Sequence, residues 1–287
     1  MDRKMIAKET LEIMGQGYYE YEGKRIEIKE QLERSVRDSL LITPEQGEKL
    51  LEKYGSAAGI REQCVCDSGV GAQGQPAFCV ENISTVDAIR SWNAQGKSHI
   101  GVLNFASAKN PGGGFLNGAM AQEESLAASG TLYRTQVAHE EYYRANRAQS
   151  SMMYTDHAIY SPGVLFFRDG SFRLTAQPAE ADVLTLPAVN MGQVFQKGED
   201  ARRASQVMRR RMKLALAIFA HQGAQNLILG AYGCGVFRND PEQIAVWWRE
   251  LFQENMGQYF DAVSFAVLDR SRNQACMGAF EKVFGHC

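Results

Sequence analysis

With 287 residues, 45% of them hydrophobic and 22% charged, the chain has an ordinary globular composition and is long enough to bury a full core. A net charge of −2 excludes a global basic field that would gather nucleic acid, so any anion binding must be local. No run of about 18 apolar residues occurs, and Met1 to Thr10 lacks the apolar stretch of a secretory signal, so the expectation is a cytoplasmic protein with no membrane partner.

Met1 to Met14 and Pro44 to Tyr54 are expected to be helices, with a short hairpin over Tyr18 to Ile28 turning at Glu22-Gly23. Gly55 to Gln75, rich in Gly and Cys, reads as a long loop. From Pro76 the pattern changes to alternating strands and helices. Ala77 to Ile83 reads as a strand, Ser84 to Gln95 as a helix capped by Ser84, and His99 to Phe105 as a buried β-branched strand. A helix is expected over Gln122 to Gln136 and a strand over Asp182 to Val189. A further helix begins near Glu199, with an apolar stripe at Ala204, Val207, Met208, Ala215, Ile218 and Phe219. The strand Asn226 to Ala231, the helix Pro241 to Asn255, the strand Ala262 to Leu268 and a helix near Gln274 to Phe284 complete the chain. Strands alternating with packed helices predict an α/β fold, a sandwich with a mixed central sheet. The change of pattern predicts a mainly helical accessory region over residues 1–75, packed on a core domain of residues 76–287.

Two glycine-rich segments follow strands. Gly112, Gly113 and Gly114 lie between the strand ending at Phe105 and the helix opening at Gln122, with Glu123 and Glu124 close behind. Strand, glycine loop and helix together present unpaired amides and a positive helix end to a phosphate, although three glycines by themselves also suit a flexible turn. The second segment runs from Gly230 through Gly233 and Gly235 to Phe237, directly after the strand Asn226 to Gly230. Phosphate sites in such sheets lie at the carboxyl ends of strands, and two loops there clamp one diphosphate from both sides. Phe237 adds an apolar wall for a sugar or base.

The remaining candidates read as structural. Cys64, Cys66, Cys79, Cys234, Cys276 and Cys287 fit no common zinc spacing and are expected to be reduced thiols, a metal or redox role for Cys64-x-Cys66 being the lesser alternative. The five histidines are scattered, and Asp156, Asp169 and Asp182 lack metal-ligand spacing. Arg202, Arg203, Arg209, Arg210, Arg211 and Lys213 read as a solvated helix face, with contact to a polyanion as the alternative. Tyr142, Tyr143 and Tyr154 are expected to pack.

Gly112-Gly-Gly-x7-Gln122-Glu-Glu124 resembles the signature of the poly(ADP-ribose) glycohydrolases, which have a macrodomain-type fold. Val102 to Gly114, Tyr160 to Arg168 and Gly230 to Phe237 are similar to the microbial-type branch of that family. The resemblance implies a macrodomain-like three-layer α/β/α sandwich with an N-terminal mainly helical extension. It implies hydrolysis of ribose–ribose bonds in poly(ADP-ribose), from chain ends, with ADP-ribose as product and no metal or cofactor. Glu124 would be the catalytic acid and base, with Glu123 beside it holding the distal ribose hydroxyls. Asn104, Ser107, Gly112, Gly113, Gly114 and Gln122 would bind substrate from one side, and Gly233, Cys234, Gly235, Val236 and Phe237 from the other. At one position the chain departs from the pattern: many macrodomains and the animal-type enzymes carry Asn where this chain has Ser107. The alternatives are a non-catalytic ADP-ribose-binding module for modified proteins and a hydrolase for mono-ADP-ribose. Glu124 favours the enzyme, because glycosidic cleavage needs a proton donor for the leaving hydroxyl.

Overall fold

The computed structural model describes residues 2–55 and 74–285. The first part holds α1 (Arg3–Gln16), β1 (Tyr18–Tyr21), β2 (Lys24–Glu27), α2 (Lys29–Asp38), β3 (Leu40–Ile42) and α3 (Pro44–Gly55). The second part opens with β4 (Ala77–Glu81), α4 (Thr85–Ala94), β5 (Ile100–Phe105), α5 (Gln122–Ser129), α6 (Leu132–Val137) and α7 (Glu140–Ala148). It continues through β6 (Ala158–Arg168), β7 (Leu174–Leu186), α8 (Met191–Lys197), α9 (Ala201–Gln222) and β8 (Asn226–Leu229) to α10 (Pro241–Gln253), β9 (Ala262–Ala266) and α11 (Ala275–Phe284). Short 3-10 turns lie at Phe115–Asn117 and Met256–Tyr259. Cys64, Cys66 and Cys287 lie outside the described residues.

Seven strands form one mixed sheet in the order β3-β6-β7-β5-β8-β9-β4. β7, β5, β8, β9 and β4 run parallel, while β6 is antiparallel to both β7 and β3. Strand periodicity of two divides the core. Leu103, Leu184, Leu227, Leu229 and Phe265 join α9, α10 and α11 on one face. Val102, Val183 and Ile228 join α4, α5 and α6 on the other. The result is the expected three-layer sandwich. β3, from the N-terminal segment, pairs with β6 at one edge and so extends the central sheet.

Several elements follow directly from local chemistry. Glu22 and Gly23 take φ of 48° and 74°, the paired left-handed geometry that a two-residue hairpin requires. Ser84 caps α4 by accepting the Asp87 N–H at 3.1 Å, and Asp240 caps α10 ahead of Pro241. One expectation needs correction: Gln122 to Gln136 is two helices, interrupted where Gly130 forms a bridge to Phe166. A Cβ on Gly130 would lie 2.1 Å from the Leu165 carbonyl oxygen, so only glycine permits that approach. Three members of the basic cluster on α9 are committed internally, while Arg202 and Arg203 are exposed. Arg209 pairs with Glu250 and Glu254, Arg210 with Glu48 and Asp156, and the buried Arg211 with Asp156 and the carbonyls of Met153 and Pro187. Cys79 is disulfide-bonded, contrary to the expectation of six reduced thiols, whereas Cys234 and Cys276 are free.

α1 braces the active end of the sheet. Ile6 and Ala7 pack with Phe115, Ala127 and Ala128, and Thr10 Oγ1 donates to the Ala128 carbonyl at 2.7 Å. The buried Arg168 guanidinium, on β6, reaches Glu9 at 2.7 Å, Thr10 Oγ1 at 3.3 Å and the Phe172 carbonyl at 3.0 Å. Arg168→Met takes the buried guanidinium away from Glu9, the buried Thr10 and the Phe172 carbonyl together, and is expected to lower unfolding free energy by ~2–3 kcal/mol. Glu9→Gln, at a half-exposed partner, should cost less than about 1 kcal/mol. Urea denaturation of both variants measures the contrast, and equal losses would deny Arg168 its role as the anchor.

Candidate active site

The carboxyl ends of β5, β8 and β9 open into one cleft of about 1050 Å³, of a size to hold a nucleotide-like ligand. The glycine loop after β5 forms one wall and the loop after β8 the other. Among the predicted site residues, Ser107, Gly113, Gly114, Gln122, Glu124, Gly233, Cys234, Gly235, Val236 and Phe237 line it. Asn104, Gly112 and Glu123 lie just behind the wall. Leu116, Met120, Val236 and Leu268, all exposed, stand around the opening, and Val236 is 81% exposed. Exposed apolar side chains gathered at a cleft mark a ligand surface. Among the described residues that line the cleft, Arg270 is the only Lys or Arg, so there an anionic ligand would be met mainly by backbone amides.

Consecutive helix residues project about 100° apart, and this separates the paired glutamates at the start of α5. Glu124 faces the cleft half-buried. Its Oε1 accepts the Gly114 N–H at 2.9 Å and its Oε2 the Ala121 N–H at 3.0 Å. The second bond is half of a capping box, Ala121 having no side-chain acceptor to complete it. Glu123 points inward and is 2% exposed. Its Oε2 accepts the Ser107 N–H at 2.7 Å, and its Oε1 accepts Asn104 Nδ2 at 3.1 Å and Gln136 Nε2 at 2.8 Å.

The other residues act as framework. Gln122 clamps α5 to the end of β5, accepting from the Phe105 N–H at 2.9 Å and donating to the Leu103 carbonyl at 2.8 Å. The Ser107 hydroxyl accepts the Lys109 and Asn110 N–H groups at 3.2 and 3.1 Å. Its side chain therefore shapes the turn, and its backbone holds Glu123. In the opposite loop, buried Asn239 donates to the carbonyls of Val189 and Gly233 at 2.8 and 3.0 Å. Gly233 takes φ of 75° and an added Cβ would sit 2.7 Å from Ala188 Cβ. The loop base is thus pinned, while Gly235 and Val236 stay exposed. Cys234, partly buried and hydrogen-bonded to Cys276, has its thiol held well above the ordinary value, which disfavours a nucleophilic thiolate. Among the described residues no group of three or more His, Cys, Asp or Glu side chains is placed to hold a metal ion. No helix among them is long and apolar enough to cross a membrane.

Comparison with known proteins assigns the family. Residues 7–169 match the family described as microbial-type PARG, catalytic domain, where PARG is poly(ADP-ribose) glycohydrolase. The chain belongs to the microbial-type PARG family. It is similar to the PARG of Thermomonospora curvata, at 36% identity over 98% of this chain and 99% of that one, with a TM-score of 0.87. A structure of the same organism's enzyme bound to the inhibitor ADP-HPD matches at 34% identity, over 98% of each chain, with a TM-score of 0.86. The PARG of Deinococcus radiodurans in complex with ADP-ribose matches at 38% identity, over 88% of this chain and 96% of that one, with a TM-score of 0.78. No curated protein matches the chain.

Within this PARG site the buried acid, Glu123, has a raised proton affinity. Burial, opposed by the Ser107, Asn104 and Gln136 donors, pushes Glu123 up from 4.5 to about 8. Below about 8 the folded state holds a proton that the unfolded chain releases near 4.5, so stability falls as pH rises through that window. Glu123→Gln removes the titration. The stability of the native protein relative to Glu123→Gln is therefore expected to fall by up to roughly 1.4 kcal/mol per pH unit between about pH 5 and 8. Urea denaturation across that range tests this, and a level difference would mean that Glu123 is already ionised at pH 5.

Residues outside the glycine signature complete the acid's setting. Gln136, Thr185 and Tyr142 are buried behind Glu123, and no local sequence pattern singled them out. Their importance comes from contacts across the fold, Tyr142 Oη meeting the Ser107 carbonyl at 3.3 Å and Thr185 Oγ1 meeting Asn104 Nδ2 at 3.2 Å.

Proposed function

We propose that this protein hydrolyses the ribose–ribose O-glycosidic bonds of poly(ADP-ribose) and releases ADP-ribose, with Glu124 as the proton carrier and Glu123 as the ligand of the distal ribose hydroxyls. The observation that carries this reading is the split between the two acids: Glu124 on the cleft wall between the two glycine loops, Glu123 buried behind it.

The chemistry follows from that placement. The protonated Glu124 carboxyl gives its proton to the leaving ribose oxygen as the anomeric C–O bond breaks toward an oxocarbenium-like state. The resulting carboxylate takes a proton from the water that adds to the anomeric carbon, which restores the acid and leaves ADP-ribose with a free anomeric hydroxyl. The glycine loops orient the diphosphate through backbone amides, and Phe237, 6.1 Å from the Tyr154 ring centroid, limits the space open to the ribose. Incubation with labelled polymer and with mono-ADP-ribosylated protein tests the reading. Release of ADP-ribose from the polymer is expected. Release from mono-modified protein alone would replace the polymer by a mono-ADP-ribose substrate, and binding without release would make the protein a reader.

A further inference from the structure

Gln136 closes α6 with its side chain fully buried, off the cleft wall. Its amide is nevertheless bonded at one end to the glycine loop and at the other to Glu123. Oε1 accepts the Gly112 N–H at 2.9 Å, while Nε2 donates to Glu123 Oε1 at 2.8 Å and lies 3.4 Å from Thr185 Oγ1. The orientation of the amide is set by its partners. A backbone N–H can only donate, so Gly112 selects the carbonyl end of Gln136 and turns the NH₂ end onto Glu123.

Asn104 approaches Glu123 Oε1 from β5 at 3.1 Å, so that oxygen takes two amide donors from behind while Oε2 takes the Ser107 N–H. The carboxyl plane is fixed on three sides. Gly112, at the other end of the Gln136 amide, immediately precedes Gly113, where an added Cβ would lie 3.1 Å from Glu123 Oε2 and closer still to Glu124. One side chain therefore ties the position of the glycine loop to the position of the buried acid Glu123.

We infer that Gln136 is a positioning residue for the glycosidic cleavage: its amide couples the Gly112 backbone to the Glu123 carboxyl and so holds the distal ribose in register with Glu124. This rests on the glycohydrolase reading above. A buried amide that only filled space would act on stability alone, whereas a positioning residue acts on kcat.

The test measures kcat and KM on poly(ADP-ribose), ADP-ribose affinity by calorimetry and folded fraction by circular dichroism, for the native protein, Gln136→Met and Gln136→Glu. Gln136→Met keeps the approximate volume and removes both bonds. It is expected to lower kcat by about 10- to 100-fold, with KM and ADP-ribose affinity changed by less than about 5-fold. Gln136→Glu is isosteric and keeps an acceptor for Gly112, but it replaces the amide donor to Glu123 with a second carboxyl group, so its kcat should fall at least as far. Should Gln136→Met fail to fold, Gln136→Glu decides. Native kcat in either folded variant, or a loss no larger than the loss of folded protein, would overturn the inference while native turnover kept the glycohydrolase reading intact. A native protein inert on polymer removes both.

Discussion

Glu124→Ala is expected to lower kcat for polymer cleavage by about 10²- to 10⁴-fold, the range typical of removing a general acid and base, while ADP-ribose binding persists. Glu124 is half-buried on the cleft wall, and among the described residues its carboxyl accepts hydrogen bonds from the Gly114 and Ala121 N–H groups alone. Truncation leaves those two donors beside a cleft that water can enter, so the fold loses little: half of a capping box, worth roughly 1 kcal/mol. The diphosphate amides and the opposite loop remain in place. Turnover and binding should therefore separate, with kcat falling steeply and calorimetric affinity for ADP-ribose changing by less than about 10-fold. Glu123→Ala behaves differently. It strands the Asn104, Gln136 and Ser107 donors in a buried pocket, so it should lose stability as well as turnover. An undiminished rate in Glu124→Ala would return the proton-carrier role to Glu123 or to water.

The legible parts of this structure were those in which neighbouring residues carry the signal. The short, apolar, β-branched run from His99 to Phe105 announced a buried strand, and Ser84 announced the start of α4 within one residue. The two glycine loops were legible as well, since each stands between an apolar strand and a helix start. β6 was not read from periodicity, because Pro162-Gly163 interrupts it and the register with β7 shifts between Ser161 and Val164. The break between α5 and α6 was hidden for a related reason: Gly130 ends the helix through a tertiary approach to Leu165 that no local pattern encodes. Functional roles followed the same division. Glu123 and Glu124 are adjacent in a recognisable signature, whereas the positioning role inferred for Gln136 rests on its meeting Gly112, 24 residues earlier, across the fold.

The same dependence on tertiary approach makes Gly113 a sensitive backbone position for the proposed acid. It takes φ of 59°, where a side chain costs roughly 1–2 kcal/mol. The steric demand is more severe: an added Cβ would lie 2.4 Å from Glu124 Oε1 and 3.1 Å from Glu123 Oε2. Gly113→Ala is therefore expected to displace the Glu124 carboxyl, and a displacement of about 1 Å in a reacting group lowers kcat by about 10²-fold. Stability should fall only by the conformational cost, because the Glu124 side chain can swing toward the open cleft. Gly235→Ala supplies the control: its φ is outside the left-handed region and a Cβ there meets nothing within 4 Å, so its unfolding free energy should match that of the native protein. Measuring kcat and urea midpoints for both variants separates the effects. Native kcat in folded Gly113→Ala would mean that the glycine loop, rather than the acid, yields to the new methyl group, and that Glu124 keeps its place without the close approach seen here.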